Sequence, residues 1–357
     1  MTQGNEMDRY AANKMLVARF LHEVADGDDL AGTLARHCHA DCRWEIFHPF
    51  NSVLGLEAVA AQFWQPLRAA FPDYEQRLGC VIGGTYEGRE QVSTLGHVIG
   101  TFDAPWLGIP ATRGLAFLRF GFNAVIRDGL IAKAYILLDI VDLMRQAGVY
   151  PFRRMPGSSE QWPLPPQGTG ATADAYAGEA GGRTMGIVRE MQSGLPKPQE
   201  IPTLATSPSK HSHHWHPNMN WYGPAGIGSM RGQRGFRDFH GSLFLQAFPD
   251  RGGVPRVPGG PEDAPGHYIQ LGDGNYAVTG GWPSLVATHL GAEWLGLPPT
   301  GRRVEMRVAD WYRVDAAGLI IDNWVMMDIP HIVHQMGLDI FHDLQFITDP
   351  ARQRWPE

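Results

Sequence analysis

Two stretches of the sequence decide the fold, because one is a variant of the other. Residues 37–73 read HCHADCRWEIFHPFNSVLGLEAVAAQFWQPLRAAFPD, and residues 214–250 read HWHPNMNWYGPAGIGSMRGQRGFRDFHGSLFLQAFPD. They align without a gap at an offset of 177, with nine identities in 37 positions that end in a shared Ala-Phe-Pro-Asp. A period this long indicates two homologous domains rather than a solenoid of short repeats.

Two further blocks extend the repeat towards the end of each copy. Residues 106–112 (WLGIPAT) match 294–300 (WLGLPPT), and residues 129–149 match 318–338 at an offset of 189. The offset grows within the Gly/Pro-rich residues 251–266, which predicts a loop inserted in the second copy. Pro, Gly, Ser and Thr dominate the region between the copies. We therefore predict a first domain over 1–150, a linker over 151–182 and a second domain over 183–357.

The two copies share one order of secondary structure. Each begins with a helical pattern (8–26; 183–193) and a short strand that carries Trp44 or Trp221. A helix follows (55–71; 232–247) and ends before the Pro of Ala-Phe-Pro-Asp. Four β-rich runs then close each copy: 76–86, 91–103, 114–127 and 130–138; 266–272, 275–290, 302–314 and 319–327. Helices followed by hairpins predict the α+β class, with a curved antiparallel sheet wrapped by N-terminal helices in each domain.

Composition excludes several function classes. The net charge of −7 over 357 residues argues against nucleic acid as a partner, and no apolar run approaches a membrane span. The N-terminus lacks a secretory pattern, so we expect a cytoplasmic protein. Three cysteines do not make a disulfide framework, and we interpret them as buried small hydrophobes: Cys38, Cys42 and Cys80. Phosphate-binding and nucleophile-elbow motifs are missing from the sequence, which disfavours nucleotide hydrolysis, Rossmann dehydrogenases and α/β-hydrolases.

The order of these motifs, found twice, resembles the SnoaL-like polyketide cyclases of the nuclear-transport-factor-2-like superfamily. The resemblance rests on the Trp strand, the helix ending in Ala-Phe-Pro-Asp, the Gly-Ile-Pro-Ala-Thr loop and the last strand ending in Asp before Gln-x-Gly. It implies cone-like α+β barrels around a cavity that takes a small-molecule substrate. It also implies pairing through the sheets, hence a pseudo-dimer within one chain that can form further homo-oligomers.

The same resemblance implies a reaction. Cyclases of this family close rings by intramolecular aldol condensation without metal or nucleotide, so no cofactor is expected, and a cavity carboxylate acts as general acid and base. That carboxylate maps to Asp139 in the first copy and to Asp328 in the second. Other proteins with this fold are dehydratases, isomerases, epoxide hydrolases or binding proteins, so the fold alone does not set the reaction.

Asp328 closes a strand on which Asp322, Trp324 and Met326 share its face. A carboxylate beside Trp and Met in a dry pocket has a raised pKa, as a general acid or base near neutral pH needs. The alternative is a helix N-cap, because Pro330 follows in the position that suits a first helical turn. The two roles can coexist, and the sequence leaves both open.

Other polar candidates cluster in the second copy. His240 and His289 are candidates to orient a substrate carbonyl or to act as acid opposite Asp328. Arg307 is a candidate to stabilise an enolate, or to form a structural ion pair. Asp310 aligns with Phe122, and its spacing of three from Arg307 places the two on opposite faces of the strand. His331, one turn after Asp328, is a candidate substrate contact.

The histidine-rich residues 211–216 (HSHHWH) invite interpretation as a metal site. His214 and His216 would share a strand face, but they have counterparts in His37 and His39, and no acidic ligand accompanies them. We therefore expect structural or cavity-lining histidines and no metal. The aromatic side chains of this copy form either core or a flat-walled substrate pocket, a set comprising Trp221, Tyr222, Trp282, Trp294, Trp311, Tyr312 and Trp324.

These observations predict a cofactor-independent acid–base enzyme of the cyclase, isomerase or lyase type. The substrate is expected to be a small aromatic or polyketide-like carbonyl compound bound in the second domain, with the first domain structural or divergent. One alternative is a hydrolase or dehydratase in the same cavity, in which the Asp activates water. The other is a protein that binds a small molecule without catalysis.

Overall fold

The computed structural model describes residues 3–166, 171–195, 210–254 and 264–348. Each half of the chain begins with helices and ends in a sheet, which confirms the α+β class and the order predicted for the two copies. The strands lie within a few residues of the predicted runs in both copies. Among the described residues, no helix is both long and apolar enough to cross a bilayer.

The first domain consists of helices and strands in the predicted order. They are α1 (Gln3–Asp26), α2 (Leu30–His37), β1 (Cys38–Ile46), β2 (Asn51–Leu54), α3 (Leu56–Val59), a π-helical turn (Ala60–Trp64), α4 (Gln65–Ala70), β3 (Glu75–Tyr86), β4 (Arg89–Thr101), β5 (Leu115–Arg127), β6 (Leu130–Leu138) and α5 (Ile140–Gln146). The α3–α4 helix ends before Pro72, as the Ala-Phe-Pro-Asp motif predicts.

The second domain repeats this order. Its elements are α6 (Gly178–Ser193), a 3₁₀ turn (Lys210–His214), β7 (Trp215–Tyr222), β8 (Met230–Arg231), α7 (Gly232–Phe236), a π-helical turn (Arg237–Gly241), α8 (Ser242–Ala247), β9 (Gly252–Gly253), β10 (His267–Asp273), β11 (Tyr276–Thr288), β12 (Arg303–Val314), β13 (Ile320–Met327), α9 (Ile329–Met336) and α10 (Ile340–Thr348). The π-helical turn falls at the same repeat position as in the first domain, so the duplication extends to this irregularity.

Each sheet is mixed rather than purely antiparallel, which corrects the expected topology. The strand orders are β2-β1-β6-β5-β4-β3 and β10-β11-β12-β13-β7-β8. Strand β1 runs parallel to β6, and β7 runs parallel to β13. The reason is the crossover: helices carry the chain from the first hairpin to the far edge, and the meander then returns beside the first strand. In the described residues the two edges of each sheet do not pair with each other, so neither barrel is closed.

Each sheet has two buried faces with different neighbours. The interior face packs on the domain's own helices, and the opposite face, here called the interdomain face, packs on the other sheet. Trp311 lies on the interdomain face and donates its indole N–H to Ser93 Oγ at 2.8 Å. Tyr268 stacks on Tyr135 with ring centroids 3.7 Å apart. A Cβ added at Gly121 would lie 2.6 Å from the Trp311 ring, so close approach of the sheets requires glycine there.

The region predicted as a linker lies against the second domain over part of its length. Ser158 forms an isolated antiparallel bridge with Ser229. The indole N–H of Trp162 donates to the Tyr222 carbonyl at 3.1 Å. Helix α6 begins at Gly178, inside the predicted linker, and packs on β10. This region is therefore a structural part of the contact between the domains and not a free tether.

Candidate functional site

Asp328 lies at the contact between the two domains. It is the N-cap of α9, and its Oδ1 accepts the His331 N–H at 3.1 Å. Its Oδ2 accepts the backbone N–H of His48 from the first domain at 2.9 Å and an N–H of Arg307 at 3.1 Å. Burial raises the pKa of this carboxyl, against the opposing charge of Arg307. Both oxygens are thus engaged by protein donors.

Asp139 has the same arrangement in the first domain. It is the N-cap of α5 and accepts the Asp142 N–H at 3.1 Å. Its Oδ2 accepts an N–H of Arg119 at 2.9 Å and the backbone N–H of Ala225 from the second domain at 2.8 Å. The contact made by Asp328 therefore occurs twice, with each Asp–Arg pair capping a helix and binding the opposite domain. The geometry favours the capping role for both residues, and a catalytic role for either remains a prediction.

The strand face that carries Asp328 does not line the interior of its domain. Trp311 pairs with Trp324 across β12 and β13, which places Trp324, Met326 and Asp328 on the interdomain face. Met326 packs near Gly121 of the first domain. The sequence predicts that this face lines a dry substrate pocket, whereas in the structure it packs against the other sheet. The period of two along the strand identifies the shared face but not its neighbour.

The interior face of the second sheet presents a different carboxyl, Asp310. It pairs with Thr279 on β11 and with Val325 on β13. Burial raises the pKa of Asp310 to about 7, and a hydrogen bond from Asn323 opposes the rise. The side chain is only half-buried, so part of its surface remains accessible. A carboxyl with these properties can both accept and release a proton near neutral pH.

The first domain has aromatic residues where the second has ionisable ones. Phe122 is the counterpart of Asp310 at an offset of 188, and Phe63 is the counterpart of His240 at an offset of 177. Both phenylalanines are fully buried, whereas Asp310 and His240 keep accessible surface. Apolar packing thus fills the interior of the first domain at the positions where the second domain has ionisable side chains.

Hydrogen-bonding side chains surround Asp310 on the interior face. The Tyr312 hydroxyl bonds with the side chains of Thr279 and Gln192, and burial together with Asp310 raises the pKa of Tyr312 well above 10. Gln192, from α6, donates to Thr279 Oγ1 at 3.0 Å. Asn323 faces Tyr312 across the strands and donates to the Trp311 carbonyl at 3.1 Å. Tyr312 therefore remains a neutral hydroxyl, held in place by two strands and one helix.

His240 and Trp221 form an aromatic wall of the same interior. The two rings stack with centroids 4.3 Å apart, and Phe236 meets His240 edge-on at 5.3 Å. Burial, assisted by the charge of Arg251, lowers the pKa of His240 to about 3. The imidazole is therefore neutral at physiological pH and offers one N–H donor and one acceptor. Trp221 shares this face because it pairs with Asn323 across β7 and β13.

His289 and Trp294 are buried side chains of the loop 289–300. His289 Nε2 bonds with the Ala292 carbonyl at 2.8 Å, and its Nδ1 lies 3.3 Å from the Thr300 N–H. Burial lowers the pKa of His289, so the neutral ring suits this bonding. Trp294 packs on Phe248 at 5.2 Å. In this geometry both side chains stabilise the loop 289–300.

The remaining predicted residues lie on or beside the interdomain face. Trp282 lies 4.7 Å from the Arg307 guanidinium, at the Asp328 end of that face. Tyr222 stacks on Trp324 at 5.2 Å at the other end, and the Trp324 indole donates to the Pro163 carbonyl. His331 lies 6.3 Å from His48, and burial lowers its pKa to about 3. Of these predicted residues, only Trp221 and His240 line the interior, and the others lie at the interdomain face or in the loop 289–300.

The histidine-rich segment does not assemble a metal site in the described residues. His214 ends the 3₁₀ turn, and His216 accepts the Asn218 N–H at 3.1 Å on β7. The side chain of His211 lies outside the described residues. Across the described part of the chain, no three His, Cys, Asp or Glu side chains converge as metal ligands would.

Asp310 is not among the catalytic residues predicted from the sequence. The sequence contains its signal: an ionisable residue aligned with an aromatic one, on the strand face opposite to Arg307. What the sequence could not show is that this face is the interior one.

Three comparisons with known proteins show what this chain is similar to. Residues 17–134 match the family model of the SnoaL-like domain. A candidate SnoaL-like polyketide cyclase from Jannaschia sp. CCS1 is 23% identical, with a TM-score of 0.34 over 39% of this chain and 93% of that protein. IdmH from Streptomyces antibioticus, a candidate polyketide cyclase, is 22% identical with a TM-score of 0.33, covering 38% of this chain and 96% of its own. AclR from Streptomyces galilaeus, a candidate hydroxylase, is 17% identical with a TM-score of 0.34, and the match covers 40% of this chain and 88% of AclR. None of the curated proteins matches the sequence.

Proposed function

We propose that this chain, whose residues 17–134 form a SnoaL-like domain, is an acid–base enzyme with its active site in the second domain. The proposed substrate is a small aromatic or polyketide-like carbonyl compound, and Asp310 is the group that moves the proton. The observation that carries the proposal is the half-buried Asp310 carboxyl, with a pKa of about 7, at the position that Phe122 fills in the first domain.

The proposed reaction begins at a carbon next to a carbonyl group. The Asp310 carboxylate takes a proton from that carbon, and the electron pair of the broken C–H bond forms an enolate. A neutral donor stabilises the oxyanion, and the His240 imidazole can supply it from the interior. The protonated Asp310 then returns its proton to another carbon, which gives an isomer. In a cyclase the enolate carbon instead attacks a second carbonyl of the same molecule, and the new alkoxide takes the proton.

The surroundings of Asp310 suit a flat, weakly polar substrate. The Trp221–His240 stack and Phe236 offer aromatic surface, which binds conjugated rings by apolar contact and stacking. The Tyr312, Thr279 and Gln192 side chains hold one another and keep the polar part of the site ordered. Preorganised donors of this kind stabilise developing charge without reorganisation during the reaction.

The test measures proton abstraction directly. A panel of aromatic ketones and 1,3-dicarbonyl compounds is incubated with the protein in D₂O, and NMR follows exchange of the carbon-bound protons. For a compound that the wild-type protein exchanges, Asp310→Asn is expected to lower the rate by about 10²–10⁴-fold, the usual contribution of a general base. Asp322→Asn is the matched control, because Asp322 is a buried carboxyl on the opposite face of the same sheet.

Two other results would identify a different function. In the first, Asp310→Asn exchanges protons at the wild-type rate, whereas Asp328→Asn loses exchange but keeps its melting temperature. This result would identify Asp328 as the general base. Binding of the panel without exchange or product would favour a binding protein over an enzyme. Water addition or loss across the substrate, abolished by Asp310→Asn, would favour the hydrolase or dehydratase alternative with the same catalytic residue.

A further inference from the structure

The interdomain face has two equivalent ends, because the two copies make the same contact with each other twice. At the first end Arg119 donates through Nη1 to Asp139, and at the second end Arg307 donates through Nη1 to Asp328. Each carboxylate also accepts a backbone N–H from the opposite domain. The two ends therefore allow one arginine to be compared in two different surroundings.

At the first end the chain itself completes the surroundings of the arginine. Arg119 Nη2 donates to the Ser159 carbonyl, and the Asp142 carboxylate lies 3.6 Å from the same nitrogen. The guanidinium also lies over the Trp162 ring, 5.8 Å from its centroid. Under this cover the side chain of Arg119 is 4% exposed. Oxygen acceptors at Nη2 and an aromatic ring are thus the groups that this arginine binds.

At the second end one edge of the guanidinium stays accessible. Arg307 Nη1 donates to Asp328 at 3.1 Å and to Asn51 Oδ1 at 2.9 Å. Among the described residues, no group accepts a hydrogen bond from its Nε or Nη2, and neither nitrogen is buried, since the side chain is 14% exposed. The Nε–Nη2 edge carries two parallel N–H donors, which is the geometry that binds a carboxylate through both oxygens.

The side chains around this edge do not provide a second carboxylate. The counterpart of Asp142 at an offset of 189 is His331. Burial lowers the pKa of His331 to about 3 and that of His48 to about 4, and the charge of Arg307 acts in the same direction. Both imidazoles are therefore neutral at pH 7. Within the described parts of the chain, Asp328 is the one carboxylate that pairs with Arg307.

Trp282 gives this place an aromatic wall. The Arg307 guanidinium lies over its ring, 4.7 Å from the centroid, and Tyr135 of the first domain meets the indole edge-on at 5.6 Å. Trp282 is half-buried, so part of its surface is accessible next to the guanidinium. A flat ring can pack on that surface by apolar contact. We call Arg307, Trp282, Asn51 and His48 the Arg307 recess.

We propose that the Arg307 recess is a second binding site, which takes a small aromatic carboxylate. The carboxylate of the ligand accepts from Nε and Nη2 of Arg307, at the edge where Arg119 binds Ser159, and the aromatic ring contacts Trp282. A single guanidinium edge between neutral imidazoles matches one planar monoanion rather than a phosphate, which carries more charge. Asp310 lies on the opposite face of β12, so this site is separate from the proposed active site.

Fluorine NMR of 4-fluorobenzoate titrated with the full chain at pH 7 tests the proposal, with 4-fluorobenzamide as the uncharged comparison. The acid is expected to bind at least about tenfold more tightly than the amide. Arg307→Lys is expected to weaken binding of the acid by about tenfold, because lysine keeps the charge opposite Asp328 but has no planar pair of donors. Arg119→Lys is the matched control and is expected to leave the affinity unchanged, since the chain covers that arginine.

Trp282→Leu tests the aromatic wall and leaves the Arg307–Asp328 pair in place. It is expected to weaken binding of the acid by about three- to tenfold, and it decides the question if Arg307→Lys does not fold. No binding of 4-fluorobenzoate, equal binding of acid and amide, or unchanged affinity in Trp282→Leu would each overturn the proposal. Loss of binding in His240→Phe but not in Trp282→Leu would also overturn it, by placing the ligand at the proposed active site. Because binding is measured without turnover, failure of the proposed reaction would leave this result unchanged.

Discussion

Replacing Asp310 with Asn is expected to stabilise the protein, and to do so more at pH 8 than at pH 5. In the folded protein burial raises the pKa of Asp310 from 3.8 to about 7. The folded state therefore holds the proton more tightly than the unfolded state. The stability that the protonated carboxyl contributes is fully present below pH 3.8 and is lost as the pH rises through 7. Asparagine keeps the shape of the protonated side chain and has no charge to bury.

The magnitude follows from the two pKa values. The pKa difference between 3.8 and about 7 gives the cost of burying the ionised carboxylate. This cost lowers the free energy of unfolding by about 4 kcal/mol when the carboxyl is ionised in both states. At pH 5 only about 1.5 kcal/mol of this cost applies, because the folded carboxyl is still protonated while the unfolded one is mostly ionised. The stability of Asp310→Asn relative to wild type is therefore expected to rise by about 2.5 kcal/mol between pH 5 and pH 8.

Urea denaturation of both proteins at the two pH values measures this difference. Asp41→Asn is the control, because Asp41 is exposed, and its stability difference from wild type is expected to be the same at pH 5 and pH 8. Carbon-detected NMR of the Asp310 carboxyl supplies an independent reading, with a midpoint near 7. A midpoint near 4, together with a pH-independent stability difference, would refute both the buried acid and the proposed proton transfer.

Four further single substitutions test the contact between the domains and the interior of the second domain. Asp328→Ala and Asp139→Ala are each expected to lower the free energy of unfolding by about 3–5 kcal/mol, because each removes a buried carboxylate that pairs with an arginine, caps a helix and accepts an N–H from the opposite domain; a change below 1 kcal/mol in chemical denaturation would contradict this. Lys14→Met is expected to destabilise by a similar amount through the buried Asp273 carboxylate, and adding Asp273→Leu is expected to restore most of the loss in a double-mutant cycle. His240→Phe, which installs the residue of the first domain, is expected to keep the melting temperature within a few degrees and to lower exchange activity at least tenfold; full activity would remove the imidazole from the reaction.

Periodicity and repetition were sufficient for most of the fold. The Ala-Phe-Pro-Asp helix ends, the paired strands and the two-domain order all depend on local patterns, and each pattern occurs twice. The N-cap role of Asp328 was also foreseeable, since Pro330 follows it in a first helical turn. The parallel pairing of β1 with β6 was not, because the sequence does not state which edge of a sheet the crossover reaches.

The location of the candidate site depended on the tertiary structure. A period of two assigns Asp310 and Arg307 to opposite faces of β12, but both faces are buried, one by helices and one by the other sheet. Sequence alone cannot distinguish two buried faces, because each demands apolar residues with occasional paired charges. The packing of the two sheets determines which carboxyl is accessible. At the contact between the sheets, Asp328 is bound by Arg307 and His48, whereas Asp310 lies on the interior face and stays partly accessible.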